Sequence, residues 1–74
     1  MKLCLRNKIE EEKALFLQKY GELNWHWYDE CLIWAVQEYH SCVGSLLDFT
    51  EDDWLVAEEN GLNKSEVEYF CEGR

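Results

Sequence analysis

Four glycines and no proline set the plan of this chain. Gly21, Gly44, Gly61 and Gly73 each follow a stretch with apolar residues at helical spacing, the place where a residue free to take positive φ ends a helix. No proline removes a backbone donor inside the intervening stretches. The spacing predicts an all-α fold, a small bundle of three to four helices forming one domain over residues 1–74. A chain this short buries only roughly 60% of its surface on folding, so its core must be dense in large side chains. Four Trp, four Tyr and three Phe supply them, each ring burying about 150–250 Å²; a homodimer is a second way to hide the surplus. At 47% hydrophobic the chain is too apolar for a disordered polyelectrolyte, despite a formal net charge of -9.

The start signals place the helices individually. Asn7 with Glu10 three residues on forms a capping-box variant for the first, whose apolar face carries Leu5, Ile9, Phe16 and Tyr20, with Lys8 and Glu12 as an i,i+4 pair. Residues 1–6 are expected as an extended arm or a helix extension. Asn24 is the expected cap of the second, with Asp29 and Glu30 in its early turns. Its apolar residues form two stripes, one of Tyr28, Leu32, Ala35, Tyr39 and Cys42, the other of Trp27, Cys31 and Trp34. Thr50 and Asp53 make the box of the third, with Phe49 and Trp54 as its hydrophobic staple; Asn63 and Glu66, flanked by Leu62 and Val67, launch a short fourth that runs to about Glu72.

Charge is distributed unevenly along this plan. Residues 1–20 carry Lys2, Arg6, Lys8, Lys13 and Lys19 against Glu10, Glu11 and Glu12, a net of +2; residues 21–47 carry four carboxylates and no Lys or Arg, a net of -4; residues 48–74 reach -7, with Lys64 and Arg74 against nine carboxylates. Such a surface repels phosphate and attracts basic proteins, with a salt-dependent rate. Direct nucleic-acid binding is therefore not expected. No apolar run approaches the ~20 residues that span a bilayer, and the opening MKLCLRNK has no signal-peptide h-region. The expected setting is cytoplasmic and off the membrane, where Cys4, Cys31, Cys42 and Cys71 stay reduced.

The stretch DDWLVAEENGLNKSEVEYF resembles the helix-turn-helix of many DNA-binding regulators. Ala57, Gly61, Leu62, Val67 and Phe70 match its small, turning and apolar positions, over about a quarter of the chain. The resemblance implies a helix-turn-helix arrangement of the last two helices, and the function it implies is a transcriptional regulator binding DNA as a dimer. In that family the second helix enters the major groove. Here that helix would present Asn63, Lys64, Ser65, Glu68, Tyr69 and Glu72, and two carboxylates against one ammonium do not suit a phosphate-lined groove.

Catalysis finds little support. Zinc sites use paired short spacings, and His40-x-Cys42 is the nearest approach. The same pair is the nearest to a nucleophile and base, but residues two apart on a helix point in different directions. No enzyme, cofactor or metal is expected. The reading that remains is a small acidic inhibitor or regulator that docks on a basic surface of a nucleic-acid-handling protein and imitates its polyanion. Its partner-binding residues would be Asp48, Glu51, Asp52, Asp53, Trp54, Glu58, Glu59, Glu66, Glu68, Tyr69 and Glu72, with carboxylates for charge and Trp54 and Tyr69 as anchors. In size and charge the chain resembles small acidic proteins that bacteriophages direct against host defence or transcription machinery, a likeness of composition that names no family.

Overall fold

A buried carboxylate ties three of the four helices of this protein together, and its position explains where they start. The computed structural model describes residues 3–73, which form α1 (Leu5–Tyr20), α2 (Leu32–Val43), α3 (Glu51–Glu59) and α4 (Lys64–Glu72), with no strand among them. A π-helical turn, Trp27–Cys31, leads directly into α2, and a short 3-10 turn, Leu46–Asp48, precedes α3. α1 packs on α2 and α3, and α4 closes the bundle against α2 and α3. No helix among the described residues is long and apolar enough to cross a membrane.

The two capping boxes form as their sequences require. Thr50 Oγ1 accepts from the Asp53 amide at 3.1 Å while Asp53 Oδ2 accepts from the Thr50 amide at 3.0 Å. Phe49 and Trp54 staple the same turn, their ring centroids 5.1 Å apart. Asn63 and Glu66 exchange the equivalent bonds at 2.9 and 3.2 Å. Asn24 likewise caps the second helical segment, its Oδ1 accepting from the His26 amide at 2.9 Å. Gly21, Gly44 and Gly73 stand at helix C-termini with φ of 83°, 90° and 73°, and Gly61, at 91°, turns the chain between α3 and α4.

Asn7 is not a cap. α1 begins three residues earlier than that cap would start it, after Cys4, whose side chain makes no capping bond. The Leu5 amide is instead satisfied by Asp53 Oδ1 at 3.1 Å. Within the N-terminal segment Leu3 and Cys4 precede the helix, Cys4 in extended backbone, and the chain is helical from Leu5 onward; residues 1 and 2 lie outside the described residues.

The stripes expected on the second helix are also revised. Trp27, Leu32, Ala35, Val36 and Tyr39 are buried, whereas Tyr28, Trp34 and Cys42 are exposed. For Trp27 and Tyr28 the π turn is the cause, because one extra residue in the turn rotates everything before it by about 100° relative to an unbroken α-helix; Trp34 and Cys42 lie after it and fall outside the buried face of Leu32, Ala35, Val36 and Tyr39. Trp27, five residues before Leu32, thereby takes the inward place that α-helical spacing gives to Tyr28. Trp27 is fully buried and packs edge-on against Phe16 at 5.8 Å. Its indole Nε1 has no hydrogen-bond partner among the described residues, a desolvation cost of about 1–3 kcal/mol that ring burial must exceed. On α1, Leu5, Ile9 and Phe16 are buried as expected, but Tyr20 is half-exposed and lies on Phe16 at the edge of the core, ring centroids 4.5 Å apart.

Candidate functional site

The eleven residues expected to meet a partner separate into four groups, according to where the fold has placed them: buried, engaged at the surface, lining a groove, or exposed outside it. Asp53 belongs to the interior. It is fully buried, and besides the Leu5 and Thr50 amides it accepts a hydrogen bond from Tyr39 Oη at 2.8 Å. Its two oxygens are committed to holding α1, α2 and α3, so it cannot touch a partner. Burial, then the hydrogen bond and the negative charge of Asp53, push the Tyr39 phenol well above its ordinary range.

Asp52, Glu59 and Glu66 are at the surface but engaged. Arg6, reaching across from α1, donates through Nη2 and Nε to the two oxygens of Asp52 at 2.8 and 3.2 Å and lies 3.4 Å from Glu59 Oε1. The Asp52 hydrogen bond, with the charges of both carboxylates, raises the guanidinium further above its already high value. Glu66 is held by its capping box. Basic α1 thus folds over part of the acidic face, and the unbroken anionic row needed to imitate a phosphate backbone is interrupted on α3. Lys13 contributes less, because its ammonium lies 3.4 Å from Asn60 Oδ1, a neutral group. Lys2 lies outside the described residues.

Trp54, Glu68 and Glu72 are brought together. They line a groove of about 400 Å³ between the 3-10 turn, α3 and α4, at the lower end of the range for ligand clefts. Leu46 and Phe49, both buried, contribute its apolar wall. Leu47 stands on its edge, 95% exposed. Ser45 fixes that turn by accepting the Leu47 amide on its Oγ at 3.1 Å. Lys64 enters the groove with its Nζ 5.5 Å from the centroid of the Trp54 ring, a cation–π placement. Asp48 and Glu51 are exposed at the end of the 3-10 turn and the start of α3. Glu58 and Tyr69 are also exposed but do not line the groove.

No family model, curated protein or solved structure matches this chain. The arrangement of side chains therefore has to carry the functional reading. The positions singled out by the helix-turn-helix pattern are packed inward, with Ala57, Leu62 and Val67 buried and Phe70 partly so. The outward residues of α4 include Glu68, Tyr69 and Glu72 beside Lys64, as the sequence implies.

A second concave region lies on the opposite pairing, between α1 and the π turn. Glu12, Phe16, His26 and Cys31 line a hollow of about 210 Å³, and beside it Glu30 and the half-exposed Trp34 flank another of about 350 Å³. His26 Nδ1 is 3.1 Å from Glu30 Oε2. Lys8 lies 5.5 Å from the Trp34 ring centroid and bonds Glu12 and Glu38, joining α1 to α2. The Glu38 hydrogen bond raises its ammonium above the ordinary value. The four cysteines are unpaired thiols, and burial raises that of Cys71. His40 packs against Phe49 with its Nε2 buried and without a hydrogen-bond partner among the described residues, while Cys42 is exposed, so the two do not form a nucleophile and base. Among the described residues no three His, Cys, Asp or Glu side chains converge as a metal site.

Leu47 and Lys64 were not among the expected site residues. The signal for Leu47 was the S-L-L-D-F-T run, in which a serine-capped turn exposes one of two adjacent leucines. The signal for Lys64 was its position as the one cation between the caps of α3 and the end of α4 at Glu72.

Proposed function

We propose that this protein is a small acidic protein-binding regulator or inhibitor that docks on a basic surface of a partner protein through the groove between its 3-10 turn, α3 and α4. The observation that supports this reading is the combination in one concavity of an exposed leucine, a tryptophan face and two carboxylates, Leu47, Trp54, Glu68 and Glu72. Aromatic and apolar anchors supply affinity when desolvated, and surrounding carboxylates steer a cationic partner and set its orientation. Asp48 and Glu51 extend the negative field beyond the groove. A basic surface that ordinarily holds nucleic acid meets these requirements, but recognition here would rest on a local groove and not on a long imitation of a phosphate backbone, since Arg6 and the interior take up part of the charge.

Charge reversal tests the reading. The variant Glu51→Lys, Glu68→Lys, Glu72→Lys spares the buried hydrogen bonds of Asp53, which reversal of Asp53 itself would break. Wild-type protein immobilised at low salt should retain basic, nucleic-acid-binding proteins from a cell extract and release them as salt rises; the triple variant should retain few of them. In the same buffer duplex DNA should not be shifted by the wild type. A DNA shift that survives in the wild type and is lost on Lys64→Ala would instead favour the helix-turn-helix regulator.

A further inference from the structure

Lys64 occupies the face of Trp54 that a partner would need. Its ammonium sits 5.5 Å from the ring centroid, and it is the one cationic side chain among the described residues lining the groove. Glu68 and Glu72 follow Lys64 at four-residue intervals on α4 and line the same groove, so the groove that holds the Trp54 face also carries carboxylate. Leu47 lines the same groove, almost wholly exposed. This constellation has a cation site and an apolar site side by side, and the cation site holds an internal lysine.

We infer that the groove takes an arginine side chain of the partner with an apolar residue next to it, and that Lys64 is the internal occupant the arginine displaces. The inference rests on the docking reading above and sharpens it to a single anchor. The guanidinium is planar, so it stacks on the Trp54 indole while its edge donors reach carboxylate; an ammonium makes the first contact as a point charge and lacks the planar edge for the second. The adjacent apolar residue covers Leu47, which otherwise stands in water. Charge complementarity selects this occupant over an acidic or neutral one, because the groove wall carries two carboxylates against one ammonium.

The probe is a short acetylated Gly-Ser peptide with one central Arg-Leu pair, titrated to millimolar concentration against the full chain while the indole N–H resonance of Trp54 is followed by NMR. The expected result is a saturable shift of that resonance, with affinity falling several-fold when the peptide arginine becomes lysine and about ten-fold or more when it becomes citrulline, which keeps the shape and loses the charge. Lys64→Ala should tighten binding by about two- to five-fold, the range an exposed cation–π contact represents. Lys19→Ala removes the same charge from α1 and should change it little. An unmoved Trp54 resonance, equal binding of the citrulline peptide, or equal effects of Lys64→Ala and Lys19→Ala would overturn the inference. Loss of basic-protein capture in the triple-reversal comparison is a separate measurement, so the general docking reading stands or falls independently of this result.

Discussion

Asp53 on α3 caps α1 through the backbone amide of Leu5, 48 residues away in the sequence. A carboxylate at a helix N-terminus meets both an unpaired amide and the positive end of the helix dipole. The same group takes the Tyr39 hydroxyl from α2 and closes its own capping box, so one side chain fixes the relative placement of three helices. Asp53→Asn keeps the shape but removes the charge and turns its NH2 toward at least one of the three donors that Asp53 accepts from. With hydrogen bonds to a charged group worth about 1.5–3 kcal/mol each, the expected loss is about 2–4 kcal/mol. Asp53→Ala should cost still more and approach the whole stability of such a domain, about 4–11 kcal/mol at this length. Urea unfolding of the Asn variant measures this, and a midpoint equal to wild type would contradict it.

Tyr39 predicts the alkaline limit of the fold. Burial and the neighbouring Asp53 raise its phenol above the ordinary value, so the folded state prefers the neutral form more strongly than the unfolded chain does. That contribution is complete below a pH of about 10, where the phenol is neutral in both states, and is lost as pH rises toward the folded value. Lys8 is shifted in the same direction and adds to the same alkaline loss. Wild-type unfolding free energy should therefore fall steeply above a pH of about 10. Tyr39→Phe should be less stable at neutral pH, since Asp53 loses a donor, yet show a shallower alkaline slope. Parallel slopes in the two proteins would show that the phenol does not carry the effect.

The π turn makes a deletion prediction that runs against intuition. Because Trp27 and Leu32 share a face across five residues, removing the exposed Asp29 leaves them four apart, the α-helical interval for the same face. The shortened protein should fold, within about 1 kcal/mol of wild type, a change of about 4–8 °C in Tm for a domain of this size. Deleting the exposed Gln37 from α2, where the helix is regular, would rotate Tyr39 out of the core and unfold the protein. Thermal melts of the two deletions decide the matter, and equal damage from both would refute the register argument.

Helix number, both capping boxes and the starts of α3 and α4 follow from local chemistry, carried by Thr50, Asp53, Asn63 and Glu66; Asn24 marks where the helical turns ahead of the π turn begin, but not the start of α2 at Leu32. What local chemistry does not contain is who else uses a side chain. Asp53 reads as a box acid and is one, but nothing near it in the sequence announces the Leu5 amide or the Tyr39 hydroxyl. Arg6 lies 46 residues from Asp52, so the partial neutralisation of α3 is a property of the folded chain. The π turn was hidden for a related reason: Trp27 and Tyr28 are both large and aromatic, and only packing against Phe16 decides which faces inward. Of the candidate site, Trp54, Glu68 and Glu72 were legible as an acidic and aromatic set, whereas their joining with Leu47 depends on a turn that the helical periodicity does not mark.

Arg6 offers a way to test the charge argument without touching the groove. Its guanidinium screens Asp52 and Glu59 on the outer face of α3 and makes no contact with Trp54, Glu68 or Glu72 among the bonds described for it. Arg6→Gln should therefore leave the anchor intact and make the surrounding field more negative by one charge. For a lysine-rich peptide approaching to ~10 Å through water, one additional charge corresponds to roughly a two-fold faster association at low salt. The gain should disappear as salt shortens the screening length, while the dissociation rate, set by contacts in the groove, changes little. Stopped-flow association at two salt concentrations reads both quantities. An unaltered association rate would mean that the acidity of α3 does not steer a partner; a faster dissociation would mean that Arg6 supports the groove structurally through its hold on α3.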